Sequence, residues 1–304
     1  MDVLSELIGL ARLRPAVDVH CLLGGRFSVG HEPTSRGVMP FHLVLGGECV
    51  IELEGGRRVE LQSGDILLLT RGSAHSIVNR HPSGATTNLV IEAGPLMQRR
   101  TVGVAADVDL LCGHFDYDAK ASGLLLDTLP DVVRVSLTGQ QSDVRLASIV
   151  GILKDETARD LPGSLTIMAS MSLALLAMAL RNAGPDVAGL PGLMKDFRLS
   201  KAVSAMLQDA SRPWTLEELA DISAISRATF ARHFRAASGM TVGEFLTEFR
   251  MTKAADLLTR GSYPVAEVAE AVGYDSEAAF GRAFRRSRGT TPSKFRHSAA
   301  GSRS

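Results

Sequence analysis

Two groups of arginines recur at a fixed distance along this 304-residue chain, in a pattern suited to holding a polyanion. Arg227, Ala228, Thr229, Arg232 and Arg235 form one set; Ser276, Glu277, Ala278, Ala279, Arg282, Arg285 and Arg286 form the other. Ser226 and Ser276, Phe230 and Phe280, Phe234 and Phe284, and Gly239 and Gly289 are each 50 residues apart. A period this long marks two copies of one supersecondary unit. In each copy the phenylalanines stand four apart, so on a helix they share one apolar stripe. At about 100° per residue, the opposite side carries Ala228, Arg232 and Arg235 in one copy. In the other it carries Ala278, Arg282 and Arg285, with Arg286 at the edge. Small residues near a helix N-terminus permit close approach, and flanking cations suit base edges and phosphates. The pattern fits a helix laid in a DNA groove.

Helix-turn-helix elements over 217–238 and 265–288 would position these side chains. Thr215 is a predicted N-cap with Glu217 and Glu218 in the first turn, and Ser226 and Ser276 cap the second helix of each copy. Val242 to Thr259 reads as one connecting helix, with Phe245, Leu246, Phe249, Ala254, Leu257 and Leu258 on its apolar side. Its eighteen residues span about 27 Å. With flanking turns, that length suits two recognition helices about 34 Å apart, one turn of DNA.

The N-terminal part carries different chemistry, in His42, His75 and three cysteines. Residues 16 to about 117 alternate short apolar runs with the turns Gly46-Gly47, Gly55-Gly56, Ser63-Gly64-Asp65 and Pro82-Ser83-Gly84. Many short strands at even spacing predict a jelly-roll sandwich or barrel. Phe41-His42 with Gly46-Gly47-Glu48, and Gly64-Asp65 through Gly72-Ser73-Ala74-His75, resemble the two cupin motifs. Metal-binding cupins use a His-x-His pair, a carboxylate and a later histidine. Here Pro40 replaces the paired histidine. His42 and His75 alone then read as core or ligand-pocket residues, with no metal and no cofactor expected.

Residues 143–159 and 164–182 switch to helical periodicity around Pro162-Gly163. The second helix is apolar on all sides, which predicts burial, and its uncharged helical part, about 17 residues, is at the lower limit for a bilayer. A hairpin of this kind suits a dimer interface, and no membrane is expected. Gly184-Pro185 to Pro191-Gly192 is a turn-rich connection.

A hydrophobic content of 45% and three cysteines exclude disordered and disulfide-scaffold classes. Lys plus Arg equals Asp plus Glu at 33 each, a neutral total that by itself argues against nucleic acid. The balance is uneven, however: from Lys195 onward there are 17 basic against 12 acidic residues, and before it 16 against 21. A mildly basic module follows an acidic one. Asp2, Glu6, Arg12 and Arg14 surround the short N-terminal apolar run, unlike a signal peptide, so a reducing cytoplasm is expected.

The expected fold is α+β: a cupin-like sensor domain over 1–142, a helical hairpin over 143–184, a linker over 185–197 and an all-α domain over 198–298. Residues 198–297 resemble the DNA-binding domain of the AraC/XylS family of transcription regulators. The resemblance rests on Arg250-Met251-Thr252-Lys253-Ala254-Ala255-Asp256-Leu257-Leu258, Val265-Ala266-Glu267-Val268-Ala269, Gly273-Tyr274 and Gly289-Thr290-Thr291-Pro292-Ser293-Lys294-Phe295-Arg296. It implies a regulator, here expected to be an activator, that binds promoter DNA, a second copy of itself and RNA polymerase. A small molecule or oxidant would be its signal. Met1–Phe27, with Val17-Asp18-Val19-His20-Cys21-Leu22-Leu23-Gly24, is similar to regulators answering reactive chlorine through a cysteine. That similarity implies Cys21 as a redox sensor with His20 or Arg26 as its cation, although the second cysteine of those regulators is replaced within Asn88-Leu89-Val90. A metal-dependent cupin enzyme with an appended helical domain, and a protein-binding module, are the rival readings.

Overall fold

Apolar runs broken by glycine turns fold as strands between Arg14 and Asp116, in the order β1 (Arg14–Leu23), β2 (Ser28–His31), β3 (Val38–Gly46), β4 (Glu48–Leu53), β5 (Arg58–Gln62), β6 (Asp65–Leu69), β7 (His75–Asn79), β8 (Leu89–Glu92), β9 (Met97–Thr101) and β10 (Val108–Asp116). A later strand, β11 (Val132–Ser136), completes the set. The computed structural model describes residues 2–84, 86–94, 96–119, 123–126, 129–136, 144–159, 161–182, 190–261 and 263–301. The helices are α1 (Val3–Leu10), α2 (Gly123–Leu126), α3 (Val144–Arg159), α4 (Ser164–Asn182), α5 (Leu190–Lys195), α6 (Phe197–Gln208), α7 (Leu216–Ile222), α8 (Arg227–Ser238), α9 (Val242–Arg260), α10 (Val265–Ala271), α11 (Glu277–Arg288) and α12 (Pro292–Gly301).

One compact unit comprises Leu13–Tyr117 and Pro130–Gly184. Its seven-stranded sheet runs β11-β6-β3-β10-β1-β9-β8 and its four-stranded sheet β2-β7-β4-β5. The core between them includes Cys21, Leu23, Val44, Ile51, Leu67, Ile77 and Leu110, all fully buried. Inward alternation on strands of both sheets produces this double layer. At the β3–β4 turn only glycine fits: Gly47 has φ of 78°, and a Cβ there would stand 1.9 Å from the carbonyl oxygen of Asp107.

α3 and α4 pack against each other, and α4 against β1. Burial of α4 on all sides was expected, and the structure corrects this. Met168, Leu175, Leu176, Ala179 and Leu180 are buried, whereas Leu165 and Ile167 are 44% and 39% exposed. One flank of the hairpin therefore lacks a neighbour among the described residues of its own unit.

The second unit comprises Met1–Arg12, Asp118–Leu129 and Pro185–Ser304. The boundary expected at 142/143 lies outside the described residues. In the expected linker, residues 185–189 also lie outside them. Residues 190–195 form a helix instead of a connection. Pro191 occupies its first turn, where a missing N–H removes no helical bond, and Leu193 is fully buried. Within this unit, α1 packs on α6 and α9. Arg12, held at φ of 51°, places its guanidinium 2.9 Å from the buried Asp256 carboxylate.

The repeat is built as its spacing requires, and it extends one helix further than the first two elements. Phe234 meets Phe245 of α9 edge-on at 5.4 Å, and Phe284 meets Phe295 of α12 in the same way at 5.3 Å. Thr215 and Thr241 form capping boxes with Glu218 and Glu244. Gly239 and Gly289 close α8 and α11 at φ of 77° and 71°. The turns differ: four residues separate α7 from α8, and five separate α10 from α11. Ala224 takes the left-handed position in the first and Gly273 in the second.

Candidate functional site

α8 and α11 owe their orientation to their phenylalanines. With Phe230, Phe234, Phe280 and Phe284 fully buried, the opposite faces must be outward. Arg232, Arg235, Arg282, Arg285 and Arg286 are all exposed, as are Ala228 and Ala278. Among the described residues, the side chains of Arg232, Arg282 and Arg285 make no hydrogen bond or ion pair, so these cations remain available to an anion. Arg227 is exposed but lies 3.7 Å from Glu217, a solvated pair. Ser226 and Ser276 accept hydrogen bonds from the backbone N–H groups of Thr229 and Ala279, at 3.3 and 3.2 Å. Ser276 is thereby engaged as a cap, and Thr229 accepts a further bond from Ser226 at 2.9 Å. Glu277 is exposed in the first turn of α11, while Ala279 is half-buried.

Two further arginines shape this surface from within. Arg288, whose side chain is only 6% exposed, pairs with Glu248 and donates to Thr252 Oγ1 at 2.9 Å. Arg250 donates to the carbonyls of Ala210 and Arg212 at 2.7 and 2.9 Å. Both lock α9 to its neighbours and are unlike the outward set. Its place four residues after Phe284, on the buried stripe, separates Arg288 from Arg285 and Arg286.

In the β unit a cavity of about 320 Å³ opens on His31, His42, His75, Arg99 and Cys112. His42 and His75 meet there, with their Nε2 atoms 2.7 Å apart. The sequence reading counted only these two histidines. The structure adds His31, stacked on His75 at 4.7 Å, and Cys112, with Sγ 3.0 Å from His42 Nδ1. One donor atom from each of His31, His42 and Cys112 lies within 4.8 Å of the others. All three imidazoles are held neutral. Burial, then the neighbouring His75 ring, brings His31 to about 4. Burial likewise places His42 well below the usual histidine range and lowers His75.

Cys21 is fully buried on β1. Hydrogen bonding from the Cys112 thiol lowers its pKa, burial opposes this, and the Arg99 guanidinium adds to the lowering. The cation is therefore neither His20, which bonds Asp109 at 2.7 Å, nor Arg26, which donates to Gly84. Arg99 arrives because β9 runs parallel to β1 with Cys21 opposite Arg99. Cys112 is driven well up by its bond with Cys21 and by burial, and Cys49 is pushed up to about 12 by burial.

Residues 2–183 match the Cupin family, and residues 219–298 match the helix-turn-helix domain. An HTH-type transcriptional regulator of Haemophilus influenzae is 30% identical over 302 residues, covering 98% of this chain and 99% of its own. An AraC-like transcription regulator of Streptomyces lividans is 30% identical over 97% of this chain and 98% of its own. The chain belongs to the AraC family of transcription regulators. Another relative, the RCS-specific HTH-type transcriptional activator RclR of Escherichia coli, is 28% identical over 97% of both chains. As an AraC-family regulator, the chain joins a β-rich cupin domain to a helical DNA-binding domain. The α+β expectation and the regulatory function hold.

Proposed function

We propose that this regulator reads promoter DNA with α8 and α11, Arg232, Arg235, Arg282, Arg285 and Arg286 making the base and phosphate contacts. The supporting observation is the matched pair of outward faces, 50 residues apart in sequence, with the side chains of Arg232, Arg282 and Arg285 unpaired among the described residues. Arg227, Ala228 and Thr229, with Ser276, Glu277, Ala278 and Ala279, form the N-terminal ends that approach the bases. Gel retardation on a fragment upstream of the neighbouring gene tests the reading; it fails if full-length protein retards no promoter fragment better than random DNA.

The cupin cavity receives the signal, the α3–α4 hairpin joins two copies, and the dimer activates transcription through RNA polymerase in the cytoplasm. Exposed Ile152, Leu161, Leu165 and Ile167 support the dimer. Ile167→Asp is expected to shift the chain toward monomer in analytical ultracentrifugation, and an unchanged sedimentation profile would remove the hairpin from the interface. Truncations at the proposed limits of 142 and 197 must allow for Met1–Arg12 and Asp118–Leu129, which group with the C-terminal residues.

An oxidant signal at Cys21 is supported by its neighbours Cys112 and Arg99, and by a relative whose name is RCS-specific. Cys21→Ala would then abolish induction by hypochlorite and preserve DNA retardation. A small-molecule signal predicts normal induction in that variant.

A further inference from the structure

Two cross-strand pairs face one another inside the β unit. On β3 and β10, His42 stands opposite Cys112; on β2 and β7, His31 stands opposite His75. The first pair belongs to the seven-stranded sheet and the second to the four-stranded sheet. Aliphatic residues would fill this space without the cost of burying polar groups. His42, His75 and Cys112 are instead 1%, 6% and 3% exposed.

Hydrogen bonds orient the ring nitrogens. His31 Nδ1 and His75 Nδ1 donate to the carbonyls of Val29 and Ser73 at 3.3 and 2.8 Å. Each bond fixes the tautomer and turns the Nε2 lone pair inward, the device that orients metal-ligating histidines. His75 Nε2 then accepts from His42 Nε2, which leaves the lone pair of His42 Nδ1 facing Cys112 Sγ at 3.0 Å. Among the described residues, His31 Nε2 has no hydrogen-bond partner.

We propose that His31, His42 and Cys112 form a two-imidazole, one-thiolate site for a transition metal ion of the zinc class, with His75 holding His42 through its other ring nitrogen. Imidazole and thiolate together select zinc or copper over magnesium or calcium, and three such donors with a water in the fourth position suit tetrahedral zinc. Binding releases one proton, from the Cys112 thiol, and forms the metal–sulfur bond in its place. The set differs from the metal-binding cupin pattern: Pro40 has removed that pattern's paired histidine, and neither His31 nor Cys112 belongs to the motifs. The site stands whether or not metal is the signal, and its test does not involve DNA.

The full-length protein, stripped by a chelator, is titrated with zinc and with cobalt(II). One equivalent per chain is expected, and cobalt should give a thiolate charge-transfer band with the visible bands of tetrahedral coordination. Cys112→Ser should lose the charge-transfer band, His31→Gln should weaken zinc binding by at least about tenfold, and Cys49→Ala should retain both. Far-ultraviolet circular dichroism of the metal-free variants checks their fold. X-ray absorption of the zinc-loaded wild type supplies a second reading without mutation, one sulfur and two imidazole nitrogens. Uptake no greater than in the His31→Gln/Cys112→Ser double variant, a charge-transfer band that survives Cys112→Ser, or a zinc shell without sulfur would each overturn the proposal.

Discussion

Arg282→Ala separates reading of DNA from support of the fold. The side chain is exposed and makes no hydrogen bond or ion pair among the described residues, so its removal should change stability by no more than about 0.5 kcal/mol. In the complex the same deletion removes a whole contact. A bidentate pair with guanine is worth about 1–3 kcal/mol, or roughly a 5- to 150-fold rise in Kd. Arg232 occupies the equivalent place on α8, so Arg232→Ala should fall in the same range, and the double variant should lose roughly the sum because the two lie on separate helices. Fluorescence anisotropy with a labelled promoter fragment, repeated across salt concentrations, gives both affinity and salt slope. Loss of a phosphate contact lowers the slope of log K against log salt by about 0.9; loss of a base contact alone leaves it unchanged. Double-variant binding within twofold of wild type, with an unchanged slope and thermal transition, would refute the assignment of these arginines.

Other perturbations should act on the fold. Arg288→Ala leaves Glu248 without its buried partner and should cost about 3–5 kcal/mol in denaturant unfolding; a stable variant with weakened DNA binding would contradict its structural role. Gly273→Ala places a Cβ 2.3 Å from the Ser211 carbonyl oxygen at φ of +79°, and should lower the thermal midpoint, whereas Ala224→Gly should leave it equal or higher. Cys49 provides a pH test. Its folded pKa, about 12, lies above the ordinary thiol value of 9.0, so the unfolded chain loses this proton first as pH rises. Stability is complete below pH 9 and declines between about 9 and 12. From pH 9 to 10, wild type should lose about 1 kcal/mol more than Cys49→Ala in urea unfolding.

The DNA-reading repeat was legible because its signals are local. Caps at Ser226 and Ser276, phenylalanines four apart and closing glycines each act within a turn or two of helix, and their 50-residue recurrence is visible without a structure. What lies beyond that range was not legible. The partners that hold Arg288, Glu248 and Thr252, lie on α9, some forty residues earlier. The cavity depends on register between distant strands, which brings Cys112 opposite His42 and Arg99 opposite Cys21. Cupin-like motifs pointed to His42 and His75, and nothing near His31 marked it as their neighbour. Apolar composition overstated the burial of α4, since composition cannot distinguish a face that packs within the unit from one left exposed.

Hydroxyl-radical footprinting of the full-length protein on its promoter addresses most directly the reading of DNA by two equivalent helices. Two protected patches about 10–10.5 base pairs apart are predicted. Arg232→Ala should weaken protection at one, and Arg282→Ala at the other. A single patch, or two patches that keep full protection in both variants, would contradict the account.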